Sequence, residues 1–172
     1  MQELTAEHAQ VLLQSYLGSL KHESRTTKAV LAAVPADKAD YRPDPVGKTA
    51  MELVRHIANA DNRFVEAVLT GVFDPRPQIP DTVKTPAEIA AWYEERHAQN
   101  FDALTRATPE QLLTMVDFRG IMKRPAVTFL MTGLHHTIHH RGQLSSYLRS
   151  MGAKVPAIYG ESYDSAEAKK AG

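Results

Sequence analysis

Cysteine is absent from the 172 residues of the chain. The chain therefore has no disulfide, no thiolate ligand and no cysteine nucleophile, so a metal ion would have to be held by nitrogen and oxygen donors. An excess of charge is also missing, because 20 Lys and Arg residues balance 20 Asp and Glu residues. Nucleic-acid binders usually carry a basic patch or stripe. We therefore expect no nucleic-acid partner.

Long apolar runs are missing as well. No window of about 18 apolar residues is present, and the chain does not begin with a basic segment followed by an apolar one. We expect no membrane partner and a cytoplasmic location. The length predicts a single domain over residues 1–172, with an ordered core over about 1–160 and a tail over 161–172. Zero net charge gives no repulsion against self-association, which is compatible with a homodimer.

Apolar residues recur at spacings of three and four over four long segments, the pattern of amphipathic helices. The first segment should end near Pro35. The second and third segments begin at Thr49 and Thr85, each followed three residues later by glutamate in the form of a capping box. Gly71 should end the second helix, because glycine readily adopts the left-handed conformation of a helix cap.

The second half of the chain contains the fourth long helix, which we predict over about residues 126–151 and which should end at Gly152. Thr108 should start a short additional helical turn. We interpret residues 115–125 as a connection and residues 165–172 as a frayed end. Four amphipathic helices of this length pack most economically as a bundle. The predicted fold is therefore all-α, a four-helix bundle.

Half of the eight histidines lie within six consecutive positions of the fourth predicted helix, at His135, His136, His139 and His140. Residues at i and i+4 lie one above the other on a helix, so two pairs could each bind one ion. On a helical wheel at about 100° per residue, the apolar arc begins beside His136 and His140. His135 and His139 lie on the more polar side. The wheel favours His136 and His140 as ligands and His139 as a residue at the rim.

An ordinary boundary role is the alternative for any single histidine at the edge of an apolar face. Four histidines in six positions favour a metal site more strongly, because a buried array carries a desolvation cost if charged and unsatisfied nitrogens if neutral. A catalytic zinc ion normally takes three protein ligands. His56 in the second helix is the best candidate for the third ligand, and His97 in the third helix is the next; His8 and His22 have polar neighbours.

Two groups of residues form recognisable motifs. The first is Tyr41-Arg42-Pro43 with Gly47, Thr49, Glu52 and His56, and the second is His136-x-x-His139-His140-Arg141-Gly142-Gln143. Together they resemble the motifs of the DinB/YfiT-like superfamily. The resemblance covers nearly the whole chain. It implies a four-helix bundle in an up-down-down-up arrangement, commonly dimeric. It also implies a divalent ion, often nickel or zinc, bound by His56, His136 and His140.

The resemblance further implies a range of activities. Members of known role include S-transferases and isomerases that use low-molecular-weight thiols such as bacillithiol or mycothiol. Our leading hypothesis is a metal-dependent enzyme, with transfer of a thiol to a small electrophilic substrate ahead of hydrolysis. The alternative is a non-catalytic binder: a metal or small-molecule sensor, or a dimer in which the ion is structural.

Catalytic residues other than the ligands are only weakly indicated by the sequence. Arg141 could hold an anionic group of a substrate or form an ordinary ion pair. Tyr147 lies on the same helix face as His140 and could touch the site or fill the core. Glu52, Asn59 and Asp61 are near His56 in sequence and could orient ligands or relay protons, although solvated positions are the simpler interpretation.

Overall fold

Helices make up most of the protein, as the sequence predicts. A computed structural model describes residues 4–76 and 78–170. The helices are α1 (Ala6–Ala32), α2 (Ala50–Thr70), α3 (Pro86–Thr105), α4 (Pro109–Leu113), α5 (Thr128–Ser150) and α6 (Tyr163–Lys170), with one turn of 3₁₀ helix at Ala36–Lys38. The strands are β1 (Met115–Phe118) and β2 (Met122–Pro125). No helix among the described residues combines the length and apolar character needed to cross a membrane.

The helix starts follow the threonine signals in the sequence. The capping boxes predicted at Thr49, Thr85 and Thr108 are confirmed, each with its threonine oxygen accepting from the backbone N–H three residues later. A fourth box at Thr5 was not predicted, because histidine replaces the usual glutamate or glutamine in it. Gly71 ends α2 in the left-handed conformation with φ 75°, also as predicted.

Residues 115–125 connect α4 to α5, as predicted, but they do so as an antiparallel hairpin, which the all-α prediction did not include. Arg119 and Gly120 both have positive φ, 57° and 73°, and the Ile121 N–H donates to the Phe118 carbonyl at 3.0 Å. This is the geometry of a tight hairpin turn. The carboxylate of Asp117 also accepts from the Gly120 N–H at 2.7 Å and stabilises the turn.

The end of the chain is helical over Tyr163–Lys170, where the sequence predicted fraying from Ser165. Asp164 in the first turn of α6 ties this helix to the rest of the protein. Its carboxylate accepts from Arg149 of α5 at 2.8 Å and from the Val155 N–H at 2.9 Å. A polar sequence is therefore ordered by two local hydrogen bonds that periodicity does not reveal. Residues 171–172 lie outside the described part of the chain.

The four long helices pack in a closed cycle, in which α2 contacts α3 and α5, and α1 contacts the same two helices. Their apolar side chains form two separate clusters. The first core cluster includes Leu13, Leu20, Phe64, Val68, Leu104 and Leu134. The second core cluster includes Leu31, Leu53, Ile57, Ile89, Leu144 and Leu148.

Buried polar residues lie between the two core clusters along each of the four helices. They are Thr26, Thr27, Asp61, Asn62, His97, Asn100, Thr137 and Arg141. Buried polar groups are tolerated where they find hydrogen-bond partners, so this layer depends on contacts between helices. We call these eight residues the polar layer. They mark the level at which the candidate sites of the protein lie.

Candidate metal centre

Three histidines converge in the contact between α2 and α5. His56 extends from α2, and His136 and His140 lie one turn apart on α5, so that one nitrogen from each lies within 4.8 Å of the other two. The ring centroids of His56 lie 4.9 Å from His136 and 4.5 Å from His140. The structure thus brings together the three side chains that the sequence singled out. This group could hold a metal ion.

A close contact between the two helices brings the imidazoles together. Gly133 lies one turn before His136, and a Cβ atom at this glycine would stand 2.7 Å from the Cβ of Phe64 on α2. Only a residue without a side chain permits this approach. The Phe64 ring also lies 5.6 Å from the His136 ring, centroid to centroid, and forms an apolar wall beside it. The helix contact therefore fixes the site and partly shields it from water.

The surroundings of His56 and His136 favour neutral imidazoles. Burial, followed by repulsion from His140, Lys48 and Arg63, lowers the pKa of His56 to about 4. Burial, followed by repulsion from His140 and the other neighbouring histidines, lowers the pKa of His136 to about 4 as well. Both rings are therefore neutral near pH 7 and keep a lone pair on one nitrogen, the form of histidine that binds metals.

One nitrogen of the group has no hydrogen-bond partner in the described part of the chain. Nδ1 of His136 is buried and makes no hydrogen bond to any of the residues that the structure describes. A buried polar atom without a partner is costly and rare in native structures. Neutral, converging imidazoles with an unsatisfied nitrogen are a donor set that fits a divalent transition-metal ion.

His140 is oriented by a neighbour that the sequence analysis did not assign a role. Its Nδ1 lies 3.0 Å from Oε1 of Gln143, whose Nε2 donates to the Tyr147 hydroxyl at 3.3 Å. A proton on Nδ1 that is donated to Gln143 leaves the lone pair on Nε2 for a ligand bond. Gln143 ends the second motif, three residues after His140, and that spacing is the signal that could have identified it.

The remaining histidines lie away from this group. His135 and His139 are exposed on α5, as the helical wheel predicts, and the His139 ring lies 4.8 Å from the His140 ring at the rim. His97, the second candidate for the third ligand, is buried in the polar layer beside Asp61 instead. His8 takes part in the capping box of α1, and His22 is exposed.

Arg141 lies in the polar layer and contacts α1. It is 1% exposed, and its guanidinium forms an ion pair with Glu23 at 2.5 Å and donates to the Tyr159 hydroxyl at 2.7 Å. Of the two roles considered for Arg141, the ion pair is the one present. Tyr147 is 5% exposed and packs edge-on against Tyr41, so it fills the core while its hydroxyl contacts Gln143.

The polar residues near His56 in sequence have structural partners. Glu52 completes the capping box of α2, and the side-chain oxygen of Asn59 accepts from the Gln78 N–H at 2.9 Å. Asp61 is 5% exposed and accepts from the Tyr93 hydroxyl at 2.7 Å and from the Thr137 hydroxyl at 2.8 Å. None of these three is part of the converging group of histidines within the described chain.

The fold and the site define a mostly helical protein with three histidines that could bind a metal ion. The sequence matches the DinB family over residues 3–171, and the chain belongs to this family. The resemblance expected from the two motifs is therefore confirmed.

Two bacterial relatives support the assignment. The protein YjoA of Bacillus subtilis (strain 168), described as uncharacterized, is 27% identical over 136 residues, which are 77% of this chain and 86% of YjoA. The crystal structure of this DinB-like protein covers 86% of the chain and 99% of its own with a TM-score of 0.70 at 24% identity, a likeness of fold. A DinB-like protein from Bacillus cereus ATCC 10987 covers 92% and 100% with a TM-score of 0.68 at 26% identity.

Proposed function

We propose that the protein is a metal-dependent enzyme that binds nickel or zinc through His56, His136 and His140 and transfers a low-molecular-weight thiol to a small electrophilic substrate. The observation that supports it is the convergence of three imidazoles within 4.8 Å. A bound divalent ion lowers the pKa of a neighbouring thiol or water towards neutrality, which generates a nucleophile. The family resemblance favours a thiol over water, and hydrolysis is the corresponding reaction with water.

The residues around the histidines are suited to this chemistry. The positive charges of Lys48 and Arg63 act on His56, as their effect on its pKa indicates, and the same field favours a thiolate over a thiol. Phe64 limits access of water beside His136. In the reaction the thiolate sulfur bonds to the electrophilic carbon, the leaving group departs with its electron pair, and the thiol proton passes to solvent.

We also propose that the four long helices form an up-down-down-up bundle. Leu53 and Ile89, near the starts of α2 and α3, share the second core cluster, while Val68 and Leu104 near their ends share the first. This pairing supports parallel α2 and α3. Their connection of 15 residues can extend about 50 Å, enough to return along a helix of about 30 Å.

The proposed assembly is a homodimer of single-domain chains. The formal net charge of zero offers no repulsion between copies. Large apolar side chains are also exposed on two of the long helices, including Val11 on α1 at 63% and Met131 on α5 at 42%. Light scattering coupled to size-exclusion chromatography tests this, and a monomeric mass across a range of protein concentrations contradicts it.

Metal binding is tested with protein purified without an affinity tag. We expect elemental analysis after reconstitution with Ni²⁺ or Zn²⁺ to find one ion per chain, and none in the His56→Ala variant under the same conditions. Absence of both ions from the reconstituted protein overturns every function in which a metal takes part.

Catalysis is tested by incubating the metal-loaded protein with a panel of thiols and small electrophiles. We expect conjugation that requires both the ion and the thiol, with metal-treated His56→Ala as the matched control. If ester or amide substrates are hydrolysed without a thiol, the protein is a hydrolase and the proposed thiol transfer is wrong. An ion that raises the unfolding temperature but supports neither reaction shows that the protein is a non-catalytic binder with a sensing or structural ion.

A further inference from the structure

A cavity of about 250 Å³ lies between α1 and α3, on the other side of the bundle from the three histidines. Its α1 side carries Lys21, Arg25 and Lys28, which share one helix face at positions i, i+4 and i+7. Its α3 side carries the aromatic rings of Tyr93, His97 and Phe101, at positions i, i+4 and i+8. A row of cations therefore faces a row of rings across a concave space. None of the three candidate metal ligands lines it.

Two of the three cations of this row have no ion-pair partner in the described part of the chain. Lys28 forms an ion pair with Glu94 across the cavity at 2.5 Å. Lys21 and Arg25 form no ion pair with any residue in the described part of the chain, although both line the cavity. Charges that face a low-dielectric wall attract counter-ions more strongly than charges on an open surface. The cavity therefore favours an anionic group at the end formed by Lys21 and Arg25.

His97 forms part of the wall of the cavity. Its side chain is buried, with the residue 5% exposed, yet it lines the cavity and makes no hydrogen bond to another of the described residues. Its Nε2 lies 3.7 Å from Oδ2 of Asp61, too far for a hydrogen bond, and that oxygen already accepts from Tyr93. Because the ring forms part of the cavity wall, its environment changes when a ligand enters the cavity.

The rings opposite the cations define the other part of the ligand. The rings of His97 and Phe101 are stacked nearly parallel, with an interplanar angle of 19° and centroids 6.3 Å apart. Together with Ala98 they form a mainly apolar wall. Pockets for drug-sized ligands measure about 300–1,000 Å³, so this smaller cavity suits a molecule with a single ring or a short chain.

We propose that the cavity between α1 and α3 binds a small organic carboxylate with an apolar body, separately from the metal centre. The carboxylate lies against Lys21 and Arg25, and the body lies along His97 and Phe101. This site is independent of the proposed catalytic function. It can be occupied whether or not the three-histidine group holds an ion.

The test follows the ring signals of His97 by NMR in protein labelled at histidine, with phenylacetate as the probe. We expect a saturable shift of the His97 signal with a Kd near or below about 1 mM, while the signals of His56, His136 and His140 stay in place. The His97→Gln variant assigns the signal. Neutral phenylacetamide and inorganic phosphate should bind at least about tenfold more weakly, since each offers only one of the two contacts.

Matched variants separate a site from general attraction of anions. Lys21→Gln/Arg25→Gln should weaken phenylacetate binding at least about tenfold, and Ala98→Phe should fill the cavity and block binding. Lys123→Gln/Arg124→Gln removes the same charge from the exposed strand β2 and should have no effect. The proposal is overturned if the His97 signal does not move at about 10 mM phenylacetate. It is also overturned if both double variants lose affinity equally, or if phosphate binds as tightly as phenylacetate.

Discussion

Half-buried and buried histidines occur in two opposite settings in this protein. Between α2 and α5, three imidazoles face each other, and no carboxylate of the described residues joins them. Between α1 and α3, His97 stands alone beside the carboxylate of Asp61. Burial lowers the pKa of His97 even with this carboxylate nearby, so both settings hold neutral imidazoles. They differ in what the neutral ring faces, which is other nitrogen donors in one case and a cavity in the other.

The difference shows that neighbours, more than burial, decide what a histidine can do. Converging nitrogens attract a cation, whereas a single ring beside a satisfied carboxylate can only donate or accept a hydrogen bond. Asp61 is satisfied because Tyr93 and Thr137 donate to its two oxygens. The sequence suggested His97 as a possible metal ligand. The structure places it beside Asp61, as buried as a core residue and apart from the three converging histidines.

Removing the ligands should have the largest effect. We expect His136→Ala/His140→Ala to lower the affinity for Zn²⁺ or Ni²⁺ by more than about 100-fold, because two of the three donors are lost. His135→Ala/His139→Ala, with the same composition on the exposed side of the helix, should change the affinity less than about threefold, and so should His97→Ala. Isothermal titration calorimetry measures all three. Similar losses in the two double variants would show that the wheel assigns the wrong pair.

Removing the Asp61 carboxylate should disrupt the surroundings of His97 and leave the three-histidine group intact. Asp61→Ala deprives the hydroxyls of Tyr93 and Thr137 of their buried acceptor, and we expect it to lower the free energy of unfolding by about 3 kcal/mol. Asp40→Ala at an exposed position should change it by less than about 0.5 kcal/mol. Urea unfolding measures both. Stability equal to that of the unchanged protein would mean that the polar layer contributes little.

A smaller effect is expected from the residue that orients His140. Gln143→Leu keeps the size of the side chain but removes the partner of Nδ1, and we expect a loss of metal affinity of about tenfold. Tyr147→Phe removes only the more distant hydroxyl and should cost less. Unchanged affinity in Gln143→Leu would show that the helix backbone alone orients His140.

The sequence predicts those features of the fold and the site that depend on spacing along one helix. The threonine caps, the pair His136 and His140, and the end of α2 at Gly71 all follow local rules. His56 could be proposed because its offset matches a family motif. The hairpin was missed because its four-residue strands are too short for an alternating pattern and its turn is Arg-Gly, without the usual Asn or Asp.

The periodicity of the sequence does not predict contacts between helices. The contact of Gly133 with Phe64, which sets the distance between α2 and α5, is invisible until the two helices are paired. The same holds for the cationic row of α1, which reads in sequence as an ordinary solvated face. Only the packing of α1 against α3 places it opposite three rings.

The smallest effect should be on the pH dependence of stability in the metal-free protein. The pKa values of His56 and His136 are about 4 in the folded chain, against about 6.5 in an unfolded one. Between these values the unfolded chain binds more protons at both residues, so stability falls as the pH falls from about 6.5 to about 4. Because both rings are half-buried, water screens the effect. Urea midpoints measured across this range should therefore decline gradually.

Two variants show how much of this loss of stability comes from the three-histidine group and how much from His97. His56→Gln/His136→Gln should flatten the curve, because glutamine does not titrate, and His97→Gln should remove a further part of the same sign, since burial also lowers the pKa of His97. A saturating divalent ion should steepen the decline in the unchanged protein only, because protons compete with the ion for the imidazoles. A decline as steep in the His56→Gln/His136→Gln variant as in the unchanged protein would place its origin outside the histidine group.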